Sequence, residues 1–308
     1  MPLTTTKPKI TKTVADPNGL DKRQRLNIQK TYKVYIGGKF PRTESGRYYT
    51  LKSETGQPLA NICRCSRKDF REAVVAARTA FKDWSVRTAF NRGQILYRMA
   101  EMLESRRAQF LAEITWQRAT SYQAEKEVNA AIDRLVYYAG WCDKFQQVFS
   151  SVNPVNDSYF NFSVPEPTGI VSIIAPEDNS LIGLVSSIAP VIAGGNSCVV
   201  LASGSKPLCA VTFAEALNSS DLPGGVVNIL TGHKKELITH FSSHMDVNAV
   251  MYLDDDTKTI QEIQVNATVN VKRVILHKGK DWMSKDAQSP YMIMDTQEIK
   301  TTWHPVGI

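Results

Sequence analysis

Four consecutive polar residues, Glu177 to Ser180, form the first group in this sequence that could do chemistry. They follow a short apolar run at residues 170–174, which is long enough for a strand buried on both faces. A second apolar segment, of helical length, comes after them and ends at Gly194-Gly195. A strand, a polar turn and a helix together present backbone N–H groups to anionic ligands in α/β proteins. The residues of this turn should therefore decide what the protein binds.

The cysteines are the other candidate reactive groups. Their number is odd and their spacings suggest no disulfide framework, which indicates a reducing cytoplasm. Two of them form a Cys-x-Cys pair, but no partner pair has ligand spacing, so we expect no metal site. Another falls in a predicted buried strand, where a thiol is normally inert. The five are Cys63, Cys65, Cys142, Cys198 and Cys209.

The net charge of +7 is unevenly distributed, and most of the excess lies in residues 1–30. This basic tail has no interleaved aromatic residues, so we interpret it as a flexible, solvated arm and expect no nucleic-acid partner. No apolar run reaches the roughly 18 residues of a membrane span. The polar start of the chain lacks the apolar core of a secretory signal. We therefore expect a cytoplasmic protein without a membrane partner.

The elements that must position these groups follow from hydrophobic periodicity. Apolar runs recur after Glu166, with helical patterns between them. This alternation predicts a Rossmann-like α/β fold, a parallel sheet of about five strands flanked by helices, built from residues 31–150 and 165–279. Ser66 and Asp69 have the spacing of a capping box at the start of a helix. The predicted strands are residues 170–174, 198–202, 226–230, 248–253 and 271–276.

Several segments resemble the aldehyde dehydrogenase superfamily. Some are similar to the family's segments before and into its first nucleotide-binding strand, and one is similar to the helix that follows it. Another is close to a signature of the family. The last resembles the segment that leads to the family's catalytic base. The resemblance runs from about Tyr32 to Gly279. The segments are Tyr137 to Trp141, Glu166 to Val171, Ile188 to Asn196, Leu222 to Gly232 and Asn270 to Val274.

The terminal segment Glu298 to Trp303 is similar to the family's final oligomerisation strand. Only a short stretch separates it from Gly279, where a full-length member has a catalytic domain. The chain therefore resembles an aldehyde dehydrogenase with its catalytic domain excised, and most of all the degenerate second module of the two-module enzymes, as a separate truncated chain. By this resemblance residues 151–164 and 296–305 are oligomerisation strands, and the partner is another copy or a catalytic aldehyde dehydrogenase.

The resemblance also implies a degraded catalytic site. The family's nucleophilic cysteine would lie in the missing domain, and no cysteine here stands in its place. Asp178 takes the position of the family's oxyanion-donating asparagine, yet an ionised carboxylate can only accept hydrogen bonds. His277 takes the position of the glutamate that acts as general base. We therefore predict that no catalytic residue remains.

The cofactor positions implied by the resemblance are degraded as well. Leu201 and Gly204 replace the ribose-binding lysine and glutamate, and Lys234 replaces a glycine. Three aspartates, Asp254 to Asp256, stand where the family has a Gly-Ser pair at the pyrophosphate. At a helix N-terminus they would satisfy the free N–H groups themselves and repel a dianion. We expect no cofactor; if an NAD site is retained, its residues are Ile174, Ala175, Pro176 and Gly225.

The resemblance implies that the catalytic and cofactor-binding residues are lost while the oligomerisation strands are kept. Our main hypothesis is therefore a pseudoenzyme with a structural, scaffolding or regulatory role through oligomerisation. Two alternatives stay open at this point. The apolar wall of Ile173, Ile174 and Pro176 could hold a nucleotide ring in an NAD(P)- or nucleotide-sensing module. The chain could also retain NAD(P)-dependent aldehyde oxidoreductase activity.

Overall fold

A computed structural model describes residues 29–53 and 55–307 of the chain. The basic tail predicted for residues 1–30 lies almost entirely outside these residues. The described part begins with β1 (Thr31–Tyr32), β2 (Tyr48–Lys52) and β3 (Pro58–Cys63), which form a small sheet of their own. Helices α1 (Arg67–Ser85), α2 (Ala89–Ser105), α3 (Arg107–Trp116), α4 (Ser121–Trp141) and α5 (Phe145–Phe149) follow.

The predicted parallel sheet is confirmed. It consists of β6 (Ile170–Ile174), β7 (Ser197–Leu201), β8 (Val227–Leu230), β9 (Ala249–Tyr252) and β10 (Arg273–Leu276), in the spatial order β10-β9-β6-β7-β8. All four pairings are parallel. Every residue of β6, β7, β8 and β9 is buried, which explains why these strands appear in the sequence as continuous apolar runs.

Helices cover both faces of this sheet. The connections are α6 (Ile182–Ala193), α7 (Leu208–Asn218), α8 (Lys234–Ser243) and α9 (Thr257–Ala267). Side chains of β6 alternate between two clusters: Val171 and Ile173 pack with α2, α4, α6 and α7, whereas Ile170 and Ile174 pack with α1, α8 and α9. Three layers result, with the sheet in the middle.

The start of α1 follows the predicted capping box. The Ser66 hydroxyl accepts a hydrogen bond from the backbone N–H of Lys68 at 3.3 Å. In return Asp69 accepts one from the backbone N–H of Ser66 at 2.7 Å. These bonds satisfy free donors at the helix start.

A separate antiparallel sheet projects outside the three layers. Its strands are β4 (Ser151–Asn153), β5 (Tyr159–Pro167) and β11 (Gln297–Pro305), in the order β11-β5-β4. β5 and β11 pair along their full nine-residue lengths, from Tyr159 opposite Pro305 to Pro167 opposite Gln297. We call this three-stranded sheet the flap.

The segment between β10 and β11 packs back onto the helices and includes α10 (Tyr291–Met294). Arg134 of α4, only 2% exposed, holds it in place. Its guanidinium donates to the carbonyl oxygens of Ala287, Trp282 and Ser284 at 3.0 to 3.2 Å, and to the Ser186 hydroxyl at 2.7 Å. Burial lowers the pKa of Arg134, so the four acceptors are needed to offset the loss of water around the charge.

We expect Arg134→Met to lower the free energy of unfolding by about 2–4 kcal/mol, because it leaves buried acceptors without a donor. Urea unfolding measures the loss. Arg98→Met is the matched control: Arg98 forms an exposed pair with Asp221, at 3.1 Å, which is worth about 0–1 kcal/mol. Equal stabilities of the two variants would contradict the role given to Arg134.

Candidate functional site

The topology of the sheet places the candidate site. From β6 the chain runs outward through β7 to β8, then crosses back to β9 on the other side of β6. The strand order therefore reverses between β6 and β9, and in open α/β sheets ligands bind at the carboxyl ends of strands beside such a point. The loops that follow β6, β7, β8 and β9 meet there. The polar turn Glu177 to Ser180 is the first of them.

Glu177 is the centre of this edge. Its carboxylate accepts hydrogen bonds from the backbone N–H groups of Gly204 and Ser205, at 3.2 and 3.0 Å, and from the hydroxyls of Ser203 and Ser205, at 2.9 and 3.0 Å. Burial raises the pKa of Glu177, but the donors of the loop after β7 and the nearby Lys234 outweigh it, so the pKa is lowered. Donors that could bind an external anion are thus bound to Glu177.

Lys234, at the start of α8, lies between two carboxylates. Its ammonium donates to Asp254 and lies 3.6 Å from a carboxylate oxygen of Glu177. Asp254 also accepts the backbone N–H of Glu177 at 3.3 Å. Burial lowers the pKa of Lys234, but the hydrogen bond to Asp254 and the negative charges of Asp254 and Glu177 together outweigh it, so the pKa is raised. The loops after β6, β8 and β9 are held together by this one cation.

The three aspartates after β9 do not share one role, which corrects the prediction that together they cap a helix. Asp256 alone caps α9, through the Thr259 N–H at 3.2 Å. Asp254 pairs with Lys234, as described above. Asp255 accepts the backbone N–H of Gly279 at 2.8 Å and so connects this loop to the segment after β10.

The N-terminus of α6 is also occupied from within the protein. One carboxylate oxygen of Glu127, from α4, accepts the backbone N–H groups of Ser180, Leu181 and Ile182 at 3.0, 2.6 and 3.1 Å. Asn179 accepts the next N–H, that of Gly183, at 2.8 Å. The N–H groups that would bind an anion at the first strand–helix turn therefore already have partners.

Asp178 and His277, the two positions that the resemblance predicts to be degenerate, have different surroundings. Asp178 is exposed, and its carboxylate accepts the side-chain amide of Asn179 at 2.9 Å. Burial of part of this side chain raises the pKa of Asp178. His277 directly follows β10 and packs against the segment held by Arg134: Nε2 lies 3.4 Å from the Asp295 carboxylate, and the imidazole and Trp282 rings meet edge-on with their centroids 6.1 Å apart.

Of the four residues named for a retained nucleotide site, three lie together. Ile174 is the last residue of β6, Ala175 and Pro176 follow it, and all three are buried. Pro176 packs against Gly183 of α6 so closely that a side chain on that glycine would collide with it. Gly225 lies apart from them, because it precedes β8 at the opposite end of the sheet and approaches Ala76 of α1.

The five cysteines are all free thiols and all buried. Burial raises the pKa of each thiol, so the reactive thiolate is disfavoured at neutral pH. Among residues 29–53 and 55–307 no group of three or more His, Cys, Asp or Glu side chains is arranged to hold a metal ion. None of the described helices is both long and apolar enough to cross a membrane.

Sequence reasoning missed Glu127 as part of this edge, and it named Lys234 only as the replacement of a glycine. The signal for Glu127 was present, since it falls on the apolar stripe of α4 with Ala124, Val128 and Ala131. An acidic residue on a buried helix face requires a partner. The pairing of Lys234 with Asp254 and Glu177 had no comparable signal, because it depends on how the loops after β6, β8 and β9 meet.

Comparisons with known proteins agree with this geometry. A sequence model described as "Aldehyde dehydrogenase family" matches residues 40–299. A putative aldehyde dehydrogenase, DhaS, of Bacillus subtilis is 28% identical over 284 residues, covering 91% of this chain and 55% of that protein. Aldehyde dehydrogenase, cytosolic 1, of Elephantulus edwardii is 30% identical over 262 residues, covering 82% of this chain and 51% of that protein.

A solved structure gives the same relationship. The NAD+ complex of an aldehyde dehydrogenase from Bacillus cereus superposes with a TM-score of 0.76 at 25% identity, covering 81% of this chain and 51% of that one. The chain thus spans about half the length of these relatives.

The Glu177 contacts give a prediction with a defined pH dependence. The folded-state pKa of Glu177 lies below its ordinary value of about 4.3, so the ionised carboxylate stabilises the fold above that pH, and this stabilisation is lost as pH falls through the lowered pKa. We expect Glu177→Gln to cost about 1 kcal/mol at pH 7, a modest value because the side chain is 36% exposed. Urea unfolding at several pH values should show this difference shrinking below about pH 4.

Asp178→Asn is the matched control for that experiment. Because the pKa of Asp178 is raised, its ionised form is disfavoured in the folded state, and removing the charge should leave stability at pH 7 unchanged or slightly higher. A loss for Asp178→Asn equal to that for Glu177→Gln would show that any charge change on this turn is destabilising, and would refute the specific role of Glu177.

Proposed function

The chain belongs to the aldehyde dehydrogenase family, and we propose that it is a non-catalytic member with a structural or regulatory role in an oligomer. In this proposal it corresponds to the degenerate second module of the two-module aldehyde dehydrogenases. The observation that carries the proposal is the closed carboxylate network at the carboxyl edge of the sheet, where Glu177, Asp254 and Glu127 occupy the available donors.

Aldehyde oxidation needs a thiolate nucleophile, donors for the oxyanion and a bound nicotinamide. The buried thiols with raised pKa values argue against the first. At the position of the oxyanion donor, Asp178 offers a carboxylate that cannot donate when ionised. These features support the absence of catalysis.

NAD is the cofactor that the family implies, and the residues at this edge do not fit it. A pyrophosphate beside α9 would face Asp254, Asp255 and Asp256. One unit-charge contact at 4 Å costs on the order of 4 kcal/mol at an effective dielectric constant of 20. The wall of Ile174, Ala175 and Pro176 is buried: Ile174 packs in the cluster with α1, α8 and α9, and Pro176 packs against Gly183 of α6. We therefore derive no chemical step through a nicotinamide.

The flap supports an assembly role. Val152, Phe162 and Thr302 lie opposite one another in the strand register, so side chains two residues away along β5, Phe160 and Val164, share their face. We call the side chains of Val152, Phe160, Phe162 and Val164 the apolar flap face. Val152 is 68% exposed and Phe160 45% exposed. A contiguous exposed apolar surface of this kind is typical of protein interfaces.

The centre of the other face of the flap is polar, although Ile299 and Trp303, 54% and 59% exposed, lie on the same face. Asn153 donates to Asn161 at 2.6 Å and to Ser163 at 2.9 Å, and the hydroxyls of Ser163 and Thr301 lie 2.8 Å apart. These bonds stiffen the flap without any partner, so the apolar flap face is presented on a rigid support. The outer edge of β11 carries no further strand among the described residues, which also favours pairing with another chain.

We expect the protein to exceed its monomer mass of 34.4 kDa in light scattering, alone or after mixing with a catalytic aldehyde dehydrogenase. Phe160→Asp should weaken this association by at least about tenfold, because it places a charge in the centre of an apolar interface. Phe90→Asp is the control, since Phe90 is 67% exposed on α2, away from the flap. A wild-type chain that stays monomeric under both conditions would remove the proposal.

Nucleotide binding is a second candidate, and one observation favours it: a relative of 25% identity was solved as an NAD+ complex. Calorimetric titration with NAD(H), NADP(H) and ATP, each with and without magnesium, separates the candidates. We expect no heat of binding at millimolar nucleotide concentrations. We also expect no increase in absorbance from NADH formation when NAD and a series of aldehydes are added. A heat of binding without aldehyde turnover would favour a nucleotide-sensing module. Aldehyde turnover that persists after contaminating host enzyme has been removed would establish a residual oxidoreductase.

A further inference from the structure

The backbone groups of β11 alternate between those that face β5 and those that point away from it. In an antiparallel pair, hydrogen-bonded and non-hydrogen-bonded positions alternate along each strand. Two bonds fix the alternation here: the Thr168 N–H donates to the Thr296 carbonyl oxygen at 3.2 Å, and the Val306 N–H donates to the Ser158 carbonyl oxygen at 3.0 Å. Both pairs continue the unbroken register of β5 and β11. The even-numbered residues of β11 therefore bond to β5, and the odd-numbered residues direct their N–H and C=O groups outward.

The prolines of β5 agree with this assignment. Pro165 lies opposite Ile299, and Pro167 lies opposite Gln297. Both are non-hydrogen-bonded positions, where a proline removes no bond between the two strands.

The outward edge of β11 is closed at both ends. The Gln297 carbonyl oxygen accepts a hydrogen bond from the Arg273 guanidinium at 2.6 Å. At the other end Pro305 has no N–H to offer. No hydrogen bond within the described part of the chain reaches the outward backbone groups between these ends. These groups, which we call the open edge, belong to three exposed residues: Ile299, Thr301 and Trp303.

A second copy of this chain fits the open edge in one register. Two copies of an edge strand pair in the antiparallel sense about a two-fold axis. With the axis at Thr301, that residue faces its own counterpart and Ile299 faces Trp303 of the second copy, so every outward N–H meets an outward C=O. An axis at Lys300 would place Trp303 opposite Gln297, whose oxygen is already bonded. An axis at Thr302 would place Ile299 opposite Pro305, which lacks a donor.

The side chains favour the same register. On one face of the joined sheet, Ile299 lies beside Trp303 of the second copy, and this apolar cross-strand pair forms twice. On the other face, Glu298 lies opposite His304, and Lys300 lies opposite Thr302. An axis at Lys300 would instead place two lysines directly opposite each other, and like charges in that position are destabilising.

We propose that two copies of this chain pair through β11, antiparallel and centred on Thr301, and join their three-stranded flaps into one continuous sheet. The inference rests on the assembly role proposed above, and it names the partner and the surface. Because the axis is normal to the sheet, the apolar flap faces of both copies lie side by side. They stay uncovered in the pair and are available to a further chain.

Light scattering on the full chain tests the pairing, and we expect at least twice the monomer mass of 34.4 kDa. Thr301→Pro removes the outward N–H at the axis but no bond to β5, and should weaken the pairing by at least about tenfold. Thr301→Ala is the matched control: it keeps the N–H and should pair like the wild type. Pairing of Thr301→Pro at wild-type strength would overturn the proposal.

A cysteine variant tests the register and does not depend on the folding of the proline variant. The two Thr301 Cα atoms would lie about 5.5 Å apart, within the range of about 4.4–6.8 Å that a disulfide spans. Mild oxidation of Thr301→Cys should therefore give a covalent dimer on a non-reducing gel, with little background because the five native cysteines are buried. In Lys300→Cys and Thr302→Cys the new thiols would be diagonal neighbours, about 7–8 Å apart, and should cross-link poorly. Stronger cross-linking by either control would overturn the register.

Failure of this pairing differs from failure of the assembly role. A wild-type chain that is monomeric alone but joins a catalytic aldehyde dehydrogenase would overturn the pairing through β11 and leave the assembly role in place. So would association that survives in Thr301→Pro and is lost entirely in Phe160→Asp, since Phe160 lies on the apolar flap face and not on the open edge. A chain that is monomeric under both conditions would overturn both.

Discussion

The contact between Glu127 and the first turn of α6 is the constraint on which the rest of the structure depends. A carboxylate that is 8% exposed carries a large desolvation cost, and it persists only where its oxygens are well bonded. Three backbone N–H groups and the positive end of a twelve-residue helix supply that compensation. The bond fixes α4 on α6, and these two helices bury one face of β6. It also takes the donors that an anionic ligand of the first strand–helix turn would use.

Arg134 lies two helical turns after Glu127 on the same buried face of α4. One charge fixes the start of α6, and the other fixes the segment that leads from β10 to the flap. α4 therefore connects the parallel sheet to the flap through two buried charges of opposite sign. Because either buried charge would lose much free energy without its hydrogen-bond partners, the geometry of the flap is coupled to that of the sheet.

Local patterns predicted the parts of this fold that depend on local physics. Strands buried on both faces appear as apolar runs, and the Ser66–Asp69 capping box has a fixed spacing, so the sheet and the start of α1 were predictable. The partners of charged side chains were not. Glu127 acts on residues at least 53 positions away, and the Ser163–Thr301 pair spans 138 positions. Nothing in the run Asp254-Asp255-Asp256 indicates which carboxylate faces Lys234, Gly279 or α9, because that depends on the relative placement of three loops.

The closed network changes what a ligand would have to do at the carboxyl edge. In an open site, helix N–H groups bind water, and an incoming anion replaces the water at little cost. Here the same groups are bonded to Glu127 and Glu177, so an anion must break charge-assisted bonds and then face those two carboxylates. These internal carboxylates hold the loops of the carboxyl edge together. In the proposed oligomeric role, contacts with a partner would therefore form outside this edge, above all at the apolar flap face.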